Sequence, residues 1–464
     1  MKVFNTLSQR LEDFVPIDGK RVRMYTCGPT VYNYAHIGNF RAYVFEDVLR
    51  RTLKYFGLEV TQVMNLTDVD DKTIRGARAA GKPLNVYTQT FKDAFFADLK
   101  ALNVEPAEHY PAATDHVPEM IAIISTLLEK GHAYRSDDGS VYFSVASFPA
   151  YGRLAHLDMA GLKPGARVAH DEYEKENVAD FALWKAWDEE DGDVAWDSPW
   201  GRGRPGWHIE CSAMSTRYLG ETFDLHTGGV DNIFPHHEDE IAQTEAATGK
   251  PFVHYWMHCA HLVVDGRKMS KSLGNFYTLR DVLSRGYTGR ETRYVLAAGH
   301  YRQSLNFTFE SITAARAALQ RLDEFRARLA ERAGGAAAGS VLPTWAGETR
   351  QRFDAALADD LNVSGALGAL FDMVHAGNKA MDANAAAPTD AAAAQALLDR
   401  FDQALGFLAT PEAEVPAQAL ALLEQRQAAR KAKNWAESDR IRNELAALGW
   451  IIQDTPQGAK LKKK

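Results

Sequence analysis

The chain has 464 residues, 46% hydrophobic and 25% charged, enough for two to four domains around sizeable cores. No apolar run approaches a membrane span, Met1 to Phe14 carries no secretory pattern, and three cysteines are too few for a disulfide framework, so a reducing cytoplasm is the expected setting. A net charge of −8 excludes a chain that is basic throughout, although one basic face suffices for a nucleic acid.

In chain order, Arg21 to Thr26 alternate as a strand, Gly28-Pro29 mark a turn, and a helical pattern runs from Phe40 to Phe56. A second strand, Glu59 to Met64, and a further helix follow, so residues 1–102 read as half of a Rossmann-like parallel sheet. Residues 103–201, with Pro, Gly and short aromatic strands such as Val141-Tyr142-Phe143, read as an inserted connective domain. Residues 202–264 restore the second half of the sheet and end in the strand-like Leu262 to Val264. Residues 265–332 carry a lysine-bearing loop after Asp265-Gly266 and then helices. After an Ala/Gly break at 334–340, residues 341–464 read as all-helical, interrupted near Ala383 to Ala387.

Within that last region Ala428 to Trp450 read as one amphipathic helix, with Ile441, Leu445 and Leu448 at helical spacing and Arg430, Lys431, Lys433, Arg440 and Arg442 on its flank. Composition alone prefers a solvated bundle helix. Lys460, Lys462, Lys463 and Lys464 read as a mobile basic end in reach of phosphate. The fold class is α/β: a Rossmann-like parallel-sheet nucleotide-binding domain with an inserted connective domain, then an all-α C-terminal region.

Two short motifs bear chemistry. Ala35-His36-Ile37-Gly38-Asn39 stands at a helix mouth, where a glycine lets a nucleotide approach and the helix dipole favours anions. Lys268-Met269-Ser270-Lys271-Ser272 places two lysines three apart, able to close over a polyphosphate. Singly, they read as a plain helix start and a solvated turn. Together and in this order they resemble the two signatures of class I aminoacyl-tRNA synthetases. The usual His-Ile-Gly-His ends here in Asn39, which offers a hydrogen bond but no proton charge.

A third constellation involves the cysteines. Cys27 ends the first strand, Cys211 lies in Gly206-Trp207-His208-Ile209-Glu210-Cys211, and Pro235 opens a stretch in which His236 and Glu240 share a helix face. Two thiolates, an imidazole and a carboxylate would make a tetrahedral zinc set. Isolated cysteines equally serve as small buried hydrophobes, and Cys259, in an apolar strand, reads as packing.

Cys27-Gly28-Pro29-Thr30-Val31-Tyr32, Asn65 to Lys72, Gly206 to Ser215 and Phe234 to Glu238 together resemble the cysteinyl-tRNA synthetase family, in order from about Val22 to Leu305 and again in a C-terminal helix. The resemblance implies that Cys27, Cys211, His236 and Glu240 hold one zinc ion that binds the thiol of L-cysteine. It implies ATP contacts at His36, Gly38, Asn39, Asp231, Lys268 and Lys271, with Lys271 foremost and His36, Asn39, Lys268 and Lys271 catalytic. Gly28, Thr67 and Trp207 become cysteine-pocket positions; Arg430, Asp439, Arg440 and Arg442 become tRNA contacts.

Asp231 also reads as a turn cap, Trp207 as core, and Asp68, Asp70 and Asp71 as either a magnesium site or helix caps. The implied activity is ATP-dependent attachment of cysteine to tRNA(Cys) through a cysteinyl-adenylate, with Mg2+ accompanying ATP and the chain a monomer. The rival readings are a ligase joining the adenylate to a sugar amine, and a binding paralogue without chemistry.

Overall fold

The computed structural model describes residues 1–157, 180–409, 416–455 and 458–463, with the side chains of Lys271, Ala417, Gln453, Asp454, Thr455, Lys460, Lys462 and Lys463 outside the described set. By compactness the chain forms two units, Met1–Leu408 and Ala409–Lys464.

The larger unit is organised by a four-stranded sheet. Its strands are β1 (Arg21–Thr26), β2 (Glu59–Met64), β3 (Phe223–Gly229) and β4 (Val253–Cys259). The spatial order is β4-β3-β1-β2 and every pairing is parallel. Val22, Met24, Tyr25 and Thr26 are all buried, as expected where helices cover both faces. β1 and β2 have the bounds their alternation predicts.

Between β1 and β2 runs α1 (Ile37–Tyr55), three residues earlier than the apolar pattern places it. The early start has a polar cause: His36 and Asn39 cap the helix reciprocally, an N-terminus that hydrophobic periodicity does not register. After β2 come α2 (Asp71–Ala79) and α3 (Leu84–Ala101). Asp70 caps α2, its carboxylate accepting from Lys72 N at 2.7 Å.

The insertion contains a helix, Val117–Glu129, and an antiparallel sheet of Ala133–Arg135, Val141–Phe143, Phe181–Ala186 and Gly203–Pro205. Its last strand feeds α4 (Trp207–Leu219), so the insertion delivers Cys211 directly to the main sheet. The helix expected from Pro235 begins later: Ile233–His237 form a wider turn, with Phe234 extended, and α5 spans Glu238–Thr248.

Beyond β4, Leu262–Val264 pairs with Arg267–Lys268 and with Leu305–Phe307. Helices follow at Leu279–Ser284, Gly289–Ala298, Phe309–Ala333, Thr349–Ala358, Val363–Asp382 and Pro388–Leu405. Their apolar faces share one core with α1 and α3. Asn362 caps its helix and Phe353 is fully buried.

In the smaller unit the single amphipathic helix expected over 428–450 is two, Ala417–Lys431 and Trp435–Ala447. Lys433 adopts a positive φ of 56° and Asn434 caps the second helix, so local capping overrides the periodicity. The basic end is paired rather than free: Gly458–Lys463 forms a hairpin with Trp450–Thr455, and Lys464 lies outside the described residues. Ala419, Leu422, Ile441, Leu445 and Trp450 build this unit's core.

One buried ion pair ties the sheet to the helices behind it. Asp47 on α1 is 2.5 Å from Arg293, and both side chains are wholly buried. Arg51 donates to Asp47 at 2.8 Å, and Arg293 also donates to the carbonyls of Leu405, Leu102 and Asn103. Burial opposes the Asp47 charge, but Arg293 and Arg51 outweigh it and hold the carboxyl below its ordinary range. Asp47→Ala would leave a buried guanidinium without its counter-charge, so denaturant unfolding should show a loss of about 3–5 kcal/mol. A loss under about 1 kcal/mol would mean that the pair is dispensable to the packing.

Candidate active site and metal centre

The carboxyl ends of β1, β3 and β4 open on one cavity of about 530 Å³, lined by Cys27, Gly28, His36, Gly38, Asn39, Asp231 and Lys268 among others. It lies where the connections from β1 and β3 part to opposite sides, the crevice in which open α/β sheets bind ligands. Gly28 is there from necessity: a Cβ would sit 1.7 Å from the Asn65 carbonyl oxygen. At Gly38 a Cβ would press on the His36 ring at 3.0 Å and Met269 Cε at 3.1 Å.

His36 and Asn39 explain each other. Asn39 N–H donates to His36 Nδ1 at 3.1 Å, and His36 N–H donates to Asn39 Oδ1 at 3.1 Å. With Nδ1 accepting, the neutral ring carries its proton on Nε2. Burial lowers the His36 pKa, which keeps the ring a neutral donor at pH 7. No acidic residue stands in the first turn of α1, so its dipole is open to an anion. Asn39 thus acts as a cap, a position that needs hydrogen bonds rather than charge.

The four candidate ligands converge from three directions. Cys27 leaves β1, Cys211 lies within α4, His236 precedes α5 and Glu240 sits in its first turn. Their donor atoms all lie within 4.8 Å of one another, and all four residues are buried. A tetrahedral site with bonds of about 2.0–2.3 Å needs donors roughly 3.3–3.8 Å apart, so the cluster is close to closing on an ion. Glu240 Oε1 is 3.1 Å from His236 Nε2, close to the spacing of two ligands on a common ion. The residues fit a borderline-soft divalent metal.

The electrostatics agree with that fit. Burial opposes the His236 charge, but Cys211 and Glu240 raise its pKa to about 10. Burial pushes Cys211 up, while the Cys27 hydrogen bond and His236 pull it to about 6. Burial and the Cys211 contact push Cys27 well up. Burial also opposes ionised Glu240, which His226 and His236 nevertheless hold at about 2.

A shell of further histidines orients these groups. His226 Nε2 is 2.9 Å from Glu240, His208 Nδ1 is 2.9 Å from His236, and His237 links Cys27 (3.2 Å) to His258 (2.8 Å). Cys27, His226, His237 and Glu240 form a second, overlapping ligand-like group. Sequence reasoning missed this shell. Its signal was crowding: between His208 and His261 the chain places seven of its fifteen histidines.

Lys268 is on a short strand rather than in a loop, because Asp265 (φ 51°) and Gly266 (φ 71°) close a tight hairpin of the Asp-Gly kind. The following segment is stapled by Asn275, which accepts from Ser270 N–H at 2.9 Å and donates to the carbonyls of Lys268 at 3.2 Å and Val264 at 3.5 Å. Lys271 opens a short turn, Lys271–Leu273.

Thr67 and Trp207 do not line the cavity. The Thr67 hydroxyl is 1% exposed, donates to Glu210 at 2.9 Å and accepts from Asn65, so it is already committed. Trp207 is exposed and stacks on His236 at 4.2 Å. Asp68 accepts from Lys92 and Thr114, and Asp71 pairs with Arg204 and Lys185, so both are structural here. Cys259, Tyr43, His261 and Val263 line the cavity without having been singled out as site residues. In the smaller unit Arg440 pairs with Glu437 and Glu444 at 2.7 and 2.8 Å, Arg442 pairs with Asp439 at 3.3 Å, and Arg430 ends the first helix.

A family model of the class I (C) tRNA synthetase catalytic domain matches residues 13–317, one of the DALR domain matches 352–409, and one of the cysteinyl-tRNA ligase anticodon-binding domain matches 412–460. The cysteine–tRNA ligase of Protochlamydia amoebophila is 52% identical over 100% of this chain and 98% of its own length. That of Chlamydia pneumoniae is 51% identical over 99% and 97%. The chain belongs to the cysteinyl-tRNA synthetase family.

Members are class I ligases, and the fold is shared beyond the family. A Mycobacterium tuberculosis methionyl-tRNA synthetase solved with methionyl-adenylate superposes with a TM-score of 0.62 at 15% identity, over 87% of this chain and 94% of that one.

For a synthetase of this class the Asn275 staple carries a prediction. Asn275→Ala should increase proteolytic cutting between residues 268 and 275 and slow the ATP-dependent step by about tenfold or more, because small misplacements of charge are costly. Unchanged cutting and unchanged rate would show the staple to be idle.

Proposed function

We propose that the chain activates L-cysteine with ATP and transfers it to tRNA(Cys), with zinc selecting the thiol. The observation that carries the reading is the sharing of Cys27: it belongs to the four-donor cluster and also lines the nucleotide crevice. A thiol held at the cluster therefore puts the rest of a cysteine into the crevice.

In the first step the cysteine carboxylate attacks the α-phosphorus of ATP and pyrophosphate leaves, giving cysteinyl-adenylate. The carboxylate is already ionised, so positioning and electrostatics supply the rate. His36 Nε2–H and the positive end of the α1 dipole stabilise the phosphates, and Gly38 admits the nucleotide against the backbone. Lys268 and Lys271 neutralise the departing pyrophosphate, and Asp231 accepts from a ribose hydroxyl. Mg2+ accompanies the ATP.

In the second step the 2′-hydroxyl of the terminal ribose attacks the carbonyl carbon and AMP leaves. Trp207 walls the metal side of the pocket through His236, while Thr67 acts by fixing Glu210 beneath it. Arg430, Asp439, Arg440 and Arg442 belong to the region that would meet the anticodon, and the chain works as a cytoplasmic monomer. Among the described residues no helix is long and apolar enough to cross a membrane.

Zinc, when bound, supplies a Lewis acid that prefers thiolate to alkoxide. Cysteine and serine differ by one atom, which a packing pocket separates by only about 100-fold. Cys27, Cys211, His236 and Glu240 hold the ion, and His226 and His208 fix the ligating carboxylate and imidazole.

The test combines metal content with substrate choice. The purified chain should hold about one zinc per molecule, and cysteine should exceed serine in ATP–pyrophosphate exchange by roughly 10⁴ or more, beyond what packing gives. Cys211→Ser should lose both the metal and the discrimination. A metal-loaded chain that supports no cysteine-dependent exchange, or that takes serine as well, would defeat the reading.

A further inference from the structure

The loop from Gly28 to Ala35 joins two cavity-lining residues, Gly28 and His36, and so forms part of the rim. It is held firmly: Val31 N–H donates to the Thr67 carbonyl at 3.0 Å, and Tyr87 Oη donates to the Tyr32 carbonyl at 2.8 Å. Yet Tyr32 and Tyr34 keep 39% and 40% of their surface exposed. Core packing does not account for two large aromatic residues left wet on a pinned loop.

Each ring carries a cation. Lys72 Nζ lies 5.5 Å from the centre of Tyr32, and the Arg280 guanidinium lies 4.9 Å from the centre of Tyr34, whose edge rests on Phe91. Lys72 belongs to α2, which follows the loop of Thr67. Arg280 stands two residues after Thr278, which pairs with His36. The two aromatic–cation pairs are therefore anchored on different sides of the rim, one toward the Thr67 loop and one toward the exit of the lysine segment.

We propose that Tyr32 and Tyr34, with Lys72 and Arg280, form a stacking platform that guides the single-stranded 3′ end of the RNA substrate over the rim and into the cavity. The inference rests on the synthetase reading, and deepens it. The reacting hydroxyl must come within bonding distance of a carbonyl inside the cavity, and a duplex is too wide to enter. The terminal nucleotides must cross the rim as a single strand. Every base offers a π-face to a tyrosine, and a flanking cation meets the phosphate beside it, the pairing by which proteins hold single strands. Activation of the amino acid needs none of these contacts.

The experiment uses the full, metal-loaded chain with Tyr32→Ala, Tyr34→Ala and the two Tyr→Phe variants. Cysteine-dependent ATP–pyrophosphate exchange should stay within about twofold of the wild type in all four. Single-turnover transfer from preformed adenylate to tRNA should fall about tenfold or more in the Ala variants and recover in the Phe variants, which keep the π-face. A tRNA with 2-aminopurine replacing the nucleotide before its terminal adenine, the one at the rim when the terminal ribose is inside the cavity, supplies a readout that packing alone would not move. Its fluorescence should be quenched on binding the wild type and the Phe variants, and not on binding the Ala variants.

Ala variants that transfer and quench normally would overturn the proposal. So would a parallel fall in exchange and transfer, which would assign the tyrosines to the cavity wall. A wild type without any cysteine-dependent exchange would instead defeat the synthetase reading itself.

Discussion

Four polar donors meet in the dry interior of this protein, and the chain around them is arranged to make that tolerable. Cys27, Cys211, His236 and Glu240 are buried together, where unpaired charge costs several kcal/mol per group. Without a cation the cluster settles its charge with protons: Cys27 stays a thiol and His236 stays an imidazolium between Cys211 and Glu240. A divalent metal would replace those protons, so metal affinity and folding stability are linked at this point. The outer histidines limit how far the ligands can relax. His226 keeps Glu240 in place, and the line from Cys27 through His237 and His258 to Thr6, 2.7 Å from His258, ties Cys27 to the turn between the paired N-terminal strands Lys2–Asn5 and Arg10–Asp13.

The nucleotide crevice and the metal cluster share one origin, the carboxyl end of β1. Thr26 ends the strand, Cys27 turns into the cluster, and Gly28 starts the loop that reaches His36 and the mouth of α1. Any shift of β1 would move both halves of the site together. The ion pair of Asp47 with Arg293 restrains this shift from behind, since Asp47 is on the same helix that His36 caps. Rigidity beneath the site and exposure at its rim are thus divided between the two ends of one element.

The parts of this fold that reside in local rules were legible in the sequence. The strands Arg21–Thr26 and Glu59–Met64 were legible to the residue, the first from its alternation, because short apolar runs bounded by turn residues mark strands. The four-residue cluster that could hold a metal was legible only through resemblance, since nothing local brings Cys27 to Cys211. Other misses share a cause: a polar contact decided the local structure and left no trace in hydrophobic period. Asn434 breaks the helix expected over 428–450, Asn39 moves the start of α1, and the Asp265-Gly266 turn puts Lys268 on a strand. Thr67 illustrates the converse, a motif residue whose hydroxyl turns out to be committed to Glu210 rather than to the cavity.

The insertion can be understood from what it must deliver. A four-donor cluster that could hold a metal needs its second cysteine on a rigid element, because a metal tolerates only a few tenths of an ångström in its ligands. The antiparallel sheet of the insertion ends in Gly203–Pro205 and passes through Gly206 straight into α4, leaving no slack between sheet and ligand helix. Glu238, next to the ligand helix's Asp239 and Glu240, accepts three backbone N–H groups of the insertion, from Gly152, Leu154 and Ala155, at 2.8–2.9 Å. Tyr151 donates to Asp239 at 2.5 Å. The insertion therefore grips both ligand-bearing helices, α4 through the chain and α5 through these hydrogen bonds. That grip sets the distance between Cys211 and Glu240, two of the four residues that could hold a metal ion.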